Sequence, residues 1–431
     1  MLLQVVSSAA QPVTQIAAGL GHSLFLKSDG SLWAMGYNNF GELGGGTYNK
    51  TNRPDQIVAS NVTAIAAGQI HSLFLKSDGS LWAMGYNING QLGDGTYNQT
   101  NLPKQIVASN VTAIAAGEVH SLFLKSDGSL WAMGYNVNGQ LGDGTYNETN
   151  LPEQIVTSNV TAIAAGARHS LFLKKDGSLW AMGYNPFGQL GDGTYTQTNL
   201  PEQIMASNVT AIAAGDWHSL FLKSDGSLWA MGENVFGQLG GGSGGNVSYP
   251  EQIVASNVIA IAAGNDHSLF LKNDGSLWGM GLNSNGQLGD GTYSNTNRPE
   301  RIVVSNVTAI ASGKSSEHSL FLKSDGSLWA MGWNNYGQLG DGTNSNTNRP
   351  ERIVVNPAYN RIFGQLLGTG DVRLSFVGIA GANYALDYSL SLAPPNWLSQ
   401  ATNFADAGGA LAFTNTPNTA TNNFWRIRSI P

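Results

Sequence analysis

A sequence unit of about 49 residues occurs seven times between residues 1 and 356, and it constrains the fold more than any other feature. The copies share the patterns Gly-x-x-His-Ser, Asp-Gly-Ser-Leu-Trp and Asn-x-x-Gly-Gln-Leu-Gly, with Glu42 replacing the glutamine once and two extra residues before His318 in the seventh copy. The histidines of the seven copies are His22, His71, His120, His169, His218, His267 and His318. Repeats of this length fold as units that bury their hydrophobic faces against their neighbours, so the whole array is the folding unit.

Within one copy the pattern predicts four short strands. In the second copy they lie at about 62–67, 71–76, 80–85 and 104–108. Asp78-Gly79 joins the second and third strands, because this dipeptide favours a tight hairpin. The first strand is rich in alanine and fits the narrow axis of a ring, whereas the tryptophan of the third strand fits the wider gap between sheets. These features predict an all-β chain with a seven-bladed β-propeller of four-stranded blades over residues 1–356.

The three repeated patterns resemble the repeat signature of the regulator-of-chromosome-condensation family in all seven copies. That resemblance implies a seven-bladed propeller used as a scaffold, since the family includes an exchange factor for a small GTPase, a β-lactamase inhibitory protein and a plant photoreceptor. The chain lacks the basic tail that the exchange factor uses on chromatin, and it has only fragments of the photoreceptor's pattern. Fold resemblance therefore leaves the function open.

The periodicity ends after 350–355, and the remaining residues 357–431 have a different texture. Alternating segments around 372–376 and 384–388 predict five to seven short strands in a small β-sandwich. The segment resembles the fibronectin-like or immunoglobulin-like modules that close secreted proteins of environmental bacteria, which implies export to the cell surface or medium. We expect Trp397 and Trp425 to pack in the core of this module.

Charge and composition exclude several classes of protein. Lys and Arg number 21 against 28 Asp and Glu, a net charge of -7, which disfavours binding to nucleic acid. The chain has no cysteine, its N-terminus lacks the pattern of a signal peptide, and it has no apolar run long enough to span a membrane. We expect a monomer without a metal or cofactor, in which each histidine is hydrogen-bonded at the inner edge of its blade.

The N-terminal segment 3–8 resembles the fourth-strand pattern at 56–60, so that pattern occurs eight times for seven blades. Segments 3–8 and 351–355 therefore compete for one sheet edge. We predict that 3–8 pairs beside the third strand of the last blade and closes the ring.

One face of the ring carries the variation among the copies. In an antiparallel blade the loop between strands one and two and the loop between strands three and four leave on the same side. These loops differ between copies, whereas the Asp-Gly hairpins on the other side hardly change. Aromatic and acidic residues of the variable loops in copies five to seven form the predicted ligand-binding site: Asp216, Trp217, Glu233, Phe236, Asp266, Glu317, Trp333 and Tyr336.

Three functions are compatible with this site. The first is a non-enzymatic recognition scaffold that binds a protein partner, because aromatic anchors with a charged rim are typical of binding hot spots. The second is a carbohydrate-binding protein, which the loop aromatics favour. The third is a glycan-active enzyme with paired carboxylates about 5–9 Å apart.

Overall fold

The computed structural model describes residues 11–313, 315, 317–353, 363–366, 371–377, 383–389, 398–404, 410–415 and 424–430. Seven four-stranded antiparallel sheets succeed one another along the chain, each made from one sequence copy. They are the blades of a propeller and are numbered here in chain order. No helix occurs among the described residues, and accordingly none there could cross a bilayer.

The four strands of each blade follow chain order from the axis outward. The innermost strands are β1 (Val13–Ala18), β5 (Val62–Ala67), β9 (Val111–Ala116), β13 (Val160–Ala165), β17 (Val209–Ala214), β21 (Val258–Ala263) and β25 (Val307–Ser312). The second strands are β2 (His22–Lys27), β6 (His71–Lys76), β10 (His120–Lys125), β14 (His169–Lys174), β18 (His218–Lys223), β22 (His267–Lys272) and β26 (His318–Lys323).

The third strands are β3 (Leu32–Gly36), β7 (Leu81–Gly85), β11 (Leu130–Gly134), β15 (Leu179–Gly183), β19 (Leu228–Gly232), β23 (Leu277–Gly281) and β27 (Leu328–Gly332). The outer strands are β4 (Thr51–Val58), β8 (Thr100–Val107), β12 (Thr149–Val156), β16 (Thr198–Met205), β20 (Val247–Val254), β24 (Thr296–Val303) and β28 (Thr347–Ile353). The outer strand begins four residues earlier than predicted in blade 2, because Thr100 pairs with Gly85. The predicted seven-bladed propeller is confirmed.

The hydrophobic core lies between neighbouring blades. Leu24 and Leu26 of blade 1 pack against Phe74 and Met84 of blade 2, and partly buried Trp82 packs against this cluster. Trp82 stacks on Phe74 with a centroid distance of 6.1 Å. The tryptophan therefore fills the gap between sheets, as the sequence predicts.

The innermost strands surround an axial channel of about 210 Å³. Its wall consists almost entirely of small residues, including Ala18, Ala67 and Ala116. A propeller narrows toward its axis, so the alanine-rich strand is the innermost one. This prediction from composition is confirmed.

The ring closes without an exchanged strand. In blade 7, β27 pairs on one side with β26 and on the other with β28, which contributes Thr347–Ile353. Both edges of β27 are thus occupied, and the prediction that segment 3–8 pairs beside it is wrong. Segment 3–8 itself lies outside the described residues.

A second compact unit contains the C-terminal strands. β29 (Phe363–Leu366), β30 (Val372–Val377) and β33 (Ala410–Asn415) form one three-stranded sheet. β31 (Asn383–Ser389), β32 (Leu398–Phe404) and β34 (Phe424–Ile430) form another. The fibronectin-like or immunoglobulin-like β-sandwich stays a prediction, and the side chains of Trp397 and Trp425 lie outside the described residues.

Candidate functional site

The antiparallel order gives the ring two distinct faces. We call the side with the loops between first and second strands and between third and fourth strands the variable face. The other side, with the Asp-Gly hairpins and the links between blades, is the hairpin face. All eight predicted site residues lie in loops of the variable face.

A belt of buried histidines lies under the variable face. Nε2 of His22 is 3.0 Å from Oγ of Ser72 in the next blade, and Nε2 of His318 is 2.9 Å from Oγ of Ser23, so the belt closes on itself. Ser72 Oγ donates its own hydrogen to the main-chain oxygen of Glu42 at 2.7 Å. The serine must therefore accept from the histidine, which assigns the imidazole hydrogen to Nε2.

Burial keeps four of these imidazoles neutral. The pKa is lowered to about 3 for His22, His71 and His318 and to about 4 for His267, chiefly because burial penalises the charged ring. The predicted hydrogen-bonded histidine at the inner edge of each blade is confirmed. Within the described residues, no group of three or more His, Asp or Glu side chains could hold a metal ion.

A glutamine follows the invariant glycine of the loop between strands three and four in every blade except blade 1, where Glu42 replaces it, and this residue lies at a blade junction. Gln91 Oε1 accepts a hydrogen bond from the backbone N–H of Asn89 at 3.1 Å, while its buried Nε2 has no partner. In blade 5, Gln238 Nε2 instead donates to Glu233 Oε2 at 3.4 Å and to Asp266 Oδ1 at 3.3 Å. The space beside this glutamine at the blade junction, which we call the notch, therefore has different polar side chains at different junctions.

Four acids converge around this notch in blades 5 to 7. Asp266 is 8% exposed and Asp216 4%, whereas Glu233 and Glu317 are half-buried. Burial, followed by the charges of Glu233, Asp216 and Glu317, raises the pKa of Asp266 well above its usual range, and Asp266 also shares a hydrogen bond with Glu233. We call Asp216, Glu233, Asp266 and Glu317 the acidic cluster.

The longer loop of blade 7 covers part of the acidic cluster. Ser315 lies in the two-residue insertion and has a φ of 53°. Its N–H and its hydroxyl donate to Asp216 Oδ1 and Oδ2, each at 2.8 Å. Glu317 accepts a hydrogen bond from the Asn285 amide. The insertion therefore connects blade 7 to blade 5 across the loop of blade 6.

An aromatic group, which we call the first aromatic cluster, lies beside the acids. Trp217 contacts Tyr184 with a centroid distance of 5.4 Å and Phe187 with one of 5.7 Å. The Arg168 guanidinium lies 5.9 Å from the Trp217 ring centroid and forms an ion pair with Glu118 at 3.4 Å. The tryptophan is thus held between rings and a cation.

A second aromatic cluster lies at the closing junction of the ring. Tyr336 contacts Trp333 at 5.1 Å and Tyr37 of blade 1 at 4.6 Å between centroids. Phe40 continues the row to Tyr86 at 4.8 Å. Blades 7, 1 and 2 are therefore joined by rings on the variable face.

The predicted site is thus divided by the structure. The four acids come together, Trp217 belongs to the first aromatic cluster, and Trp333 and Tyr336 belong to the second. Phe236 is 36% exposed and takes no part in the ring contacts of either cluster.

Sequence reasoning missed Tyr37, Tyr86, Tyr184 and Arg168. The three tyrosines sit at a repeat position that looked like consensus. Variation at this position could have identified it as part of the variable face. In the seven copies it is Tyr37, Tyr86, Tyr135, Tyr184, Glu233, Leu282 and Trp333.

Comparisons with known proteins agree with the architecture. The family described as RCC1-like domain matches residues 3–205 and 99–365. Among solved structures, human WBSCR16 is 26% identical with a TM-score of 0.67, and the match covers 74% of this chain and 88% of that one. Yeast RCC1 (Prp20), solved bound to Kap60, is 24% identical with a TM-score of 0.69, covering 83% of this chain and 86% of that one. A search of curated proteins finds no match.

Proposed function

The chain belongs to the RCC1-like domain family, and from this premise we propose that it is a non-enzymatic recognition scaffold that binds a protein partner through its variable face. The observation that carries the proposal is the convergence of the acidic cluster and the first aromatic cluster on that face. Trp217 follows Asp216 directly in the chain, so aromatic and acidic groups occupy adjoining positions.

The chemistry of this surface defines the partner. An aromatic side chain supplies a large contact area at a low cost in conformational entropy, and a charged rim steers association and excludes wrong partners. The acids favour a partner that presents Lys or Arg side chains. Arg168 is already paired with Glu118, so it does not neutralise the acidic cluster.

Proteins of the same fold bind other proteins. Yeast RCC1 was solved in complex with Kap60, and a structure of Prp20p from Saccharomyces cerevisiae was described together with its binding to Gsp1p and histones. These partners belong to those proteins. They support the general proposal that a propeller of this family acts as a protein-binding scaffold.

Hydrolysis of a glycan by paired carboxylates finds less support. Glycosidase pairs are separated by about 5–9.5 Å so that a sugar and, in inverting enzymes, a water molecule fit between them. Glu233 and Asp266 instead share a hydrogen bond. This pair therefore has the geometry of a shared proton and not that of a glycosidase.

The proposal is tested by affinity capture with the full chain, followed by binding measurements on the captured protein. We expect Trp217→Ala and Trp333→Ala each to weaken binding by about 1–3 kcal/mol. The matched control is Lys175→Ser on the hairpin face, which restores the residue found in most other copies. Capture of no protein, or a larger loss with Lys175→Ser than with the two tryptophan variants, would overturn the proposal.

A further inference from the structure

A depression of about 340 Å³ lies on the variable face at the junction between blade 7 and blade 1. Its lining consists of Tyr37, Asn39, Tyr48, Asn49, Lys50 and Tyr336. Three kinds of group thus face one space: tyrosine rings, side-chain amides and an ammonium group. The volume is at the lower end of the roughly 300–1,000 Å³ of small-molecule sites.

A glycine specific to blade 1 makes room for one wall of the depression. The residue before the belt histidine is Gly21 in blade 1, and in the other blades it is Ile70, Val119, Arg168, Trp217, Asp266 and Glu317. A Cβ on Gly21 would lie 2.7 Å from the Tyr336 ring. Any larger residue would therefore displace Tyr336, and the aromatic wall depends on a glycine that no other blade has.

Lys50 is the second feature specific to this junction. The equivalent residues of the other blades are Gln99, Glu148, Gln197, Asn246, Asn295 and Asn346, none of them basic. At three junctions this residue is hydrogen-bonded to the preceding blade, in the pairs Asn89–Glu148, Asn138–Gln197 and Asn285–Asn346.

At the closing junction Tyr336 takes the place of that polar partner. The Lys50 ammonium lies 5.7 Å from the Tyr336 ring centroid. It forms no ion pair with a carboxylate in the described part of the chain. The depression thus contains an exposed cation without a counter-ion, beside aromatic rings and amides.

We propose that this depression binds a saccharide that carries a carboxylate, such as a uronic acid unit. The tyrosine rings provide an apolar wall for the C–H face of a pyranose, and the amides of Asn39 and Asn49 can donate to and accept from its hydroxyls. The Lys50 ammonium supplies a charge-assisted hydrogen bond to the carboxylate. No acid is among the residues that line the depression.

This inference goes beyond the proposed function, because it concerns a different ligand and a different part of the variable face. The acidic cluster disfavours an anion at blades 5 to 7, whereas the depression at blades 7 and 1 attracts one. Trp217 separates the two sites, because it belongs to the first aromatic cluster, whereas Trp333 contacts Tyr336 in the wall of the depression.

The test is a calorimetric titration of the full chain at low salt with trigalacturonate, and with neutral galactotriose as the comparison. We expect binding of trigalacturonate and at least tenfold weaker binding of galactotriose. Lys50→Gln, an exposed substitution that keeps the amide chemistry of neighbouring copies, is expected to weaken trigalacturonate binding about tenfold. Lys175→Ser removes one exposed cation from the hairpin face and is expected to leave the affinity unchanged.

Several outcomes would overturn the inference. Equal affinity for the neutral and the acidic sugar would exclude recognition of the carboxylate, and equal losses in Lys50→Gln and Lys175→Ser would reveal attraction by net charge alone. Failure of either sugar to bind would remove the site. Trp217→Ala distinguishes the two proposals, because it is expected to reduce protein capture while trigalacturonate binding stays unchanged.

Discussion

The hairpin face and the variable face differ in which atoms the fold uses. In the blade 3 hairpin, Asp127 Oδ1 accepts from the N–H and the hydroxyl of Ser129 at 2.9 and 2.6 Å. Ser129 Oγ in turn accepts from Trp131 Nε1 at 2.9 Å. The first hairpin residue contributes its backbone N–H, as Lys175 does to the Asn159 carbonyl at 2.9 Å. The hairpin varies in sequence only at this first residue, with Lys175 and Asn273.

On the variable face, the loops between strands one and two are held by backbone N–H groups, as the first hairpin residue is. The N–H groups of Gln69, Glu118 and Asp216 each donate to a glycine carbonyl of the next blade at 3.2 Å. Any side chain is compatible with such a bond. On both faces, sequence varies at positions whose backbone atoms the fold uses. Variation alone therefore does not identify function, whereas the chemistry that gathers at variable positions does.

The largest expected effect concerns the invariant histidine belt. The folded-state pKa of His22, His71, His267 and His318 lies well below the ordinary imidazole value of 6.5. The unfolded chain therefore binds more protons below about pH 6.5, and stability is lost as the pH falls. Each such histidine removes up to about 1.4 kcal/mol per pH unit. Urea unfolding followed by circular dichroism at pH 7.5, 6.5, 5.5 and 4.5 checks this.

Carboxyls with raised pKa values, such as Glu42 and Asp266, act in the opposite direction. We expect the four histidines to dominate between pH 6.5 and 4.5. A free energy of unfolding that stays constant over this range would contradict the neutral belt.

The second test concerns Glu42, a variable-face residue whose side chain is fully buried. Burial raises its pKa from 4.5 to about 7. The native state therefore loses stability as the pH rises from about 4.5 to 7, because the ionised form is disfavoured. We expect Glu42→Gln to raise the free energy of unfolding by up to about 3 kcal/mol at pH 8 and to have little effect at pH 4.5.

The reverse change at an equivalent position provides the control. Gln91→Glu is expected to lower stability at pH 8 by a similar amount. Equal effects of Glu42→Gln at both pH values would contradict the raised pKa of Glu42 in the folded state.

The third test contrasts two neighbours in one hairpin. Gly79 has a φ of 76°, and a Cβ there would lie 2.9 Å from the Asn110 backbone nitrogen. We expect Gly79→Ala to cost about 1–3 kcal/mol, since both the backbone conformation and the contact oppose it. Ser77→Lys, which reproduces Lys175, is expected to change stability by less than about 0.5 kcal/mol. Thermal melts of both variants measure the difference in stability. Similar losses of stability in the two variants would contradict the different roles of Gly79 and Ser77.

The smallest effect is expected on the variable face. Glu118 and Arg168 form an ion pair at 3.4 Å with both side chains partly exposed. Glu118→Gln should therefore change stability by less than about 1 kcal/mol. A loss well above this value in chemical denaturation would show that the variable loops contribute to the fold through their side chains.

The sequence predicts the blades and their core because the same pattern occurs in seven copies. It also placed the four acids on one face. It failed for ring closure, since the resemblance of 3–8 to a fourth strand does not reveal that 347–353 already fills the edge of β27. It named Tyr336 as a site residue but missed the contact of Tyr336 with Tyr37, because the two residues are about 300 positions apart in the chain and meet only when the ring is closed.

The junction between blade 7 and blade 1 shares two kinds of hydrogen bond with the other junctions. His318 bonds Ser23 as His22 bonds Ser72, and the Gly342 N–H donates to the Asn52 carbonyl at 2.8 Å as the Gly46 N–H donates to that of Asn101. These hydrogen bonds are thus the same between blades that follow one another in the chain and between blades 7 and 1, which do not. With respect to the histidine–serine contact the circle has no intrinsic first blade, because the same bond recurs at all seven junctions.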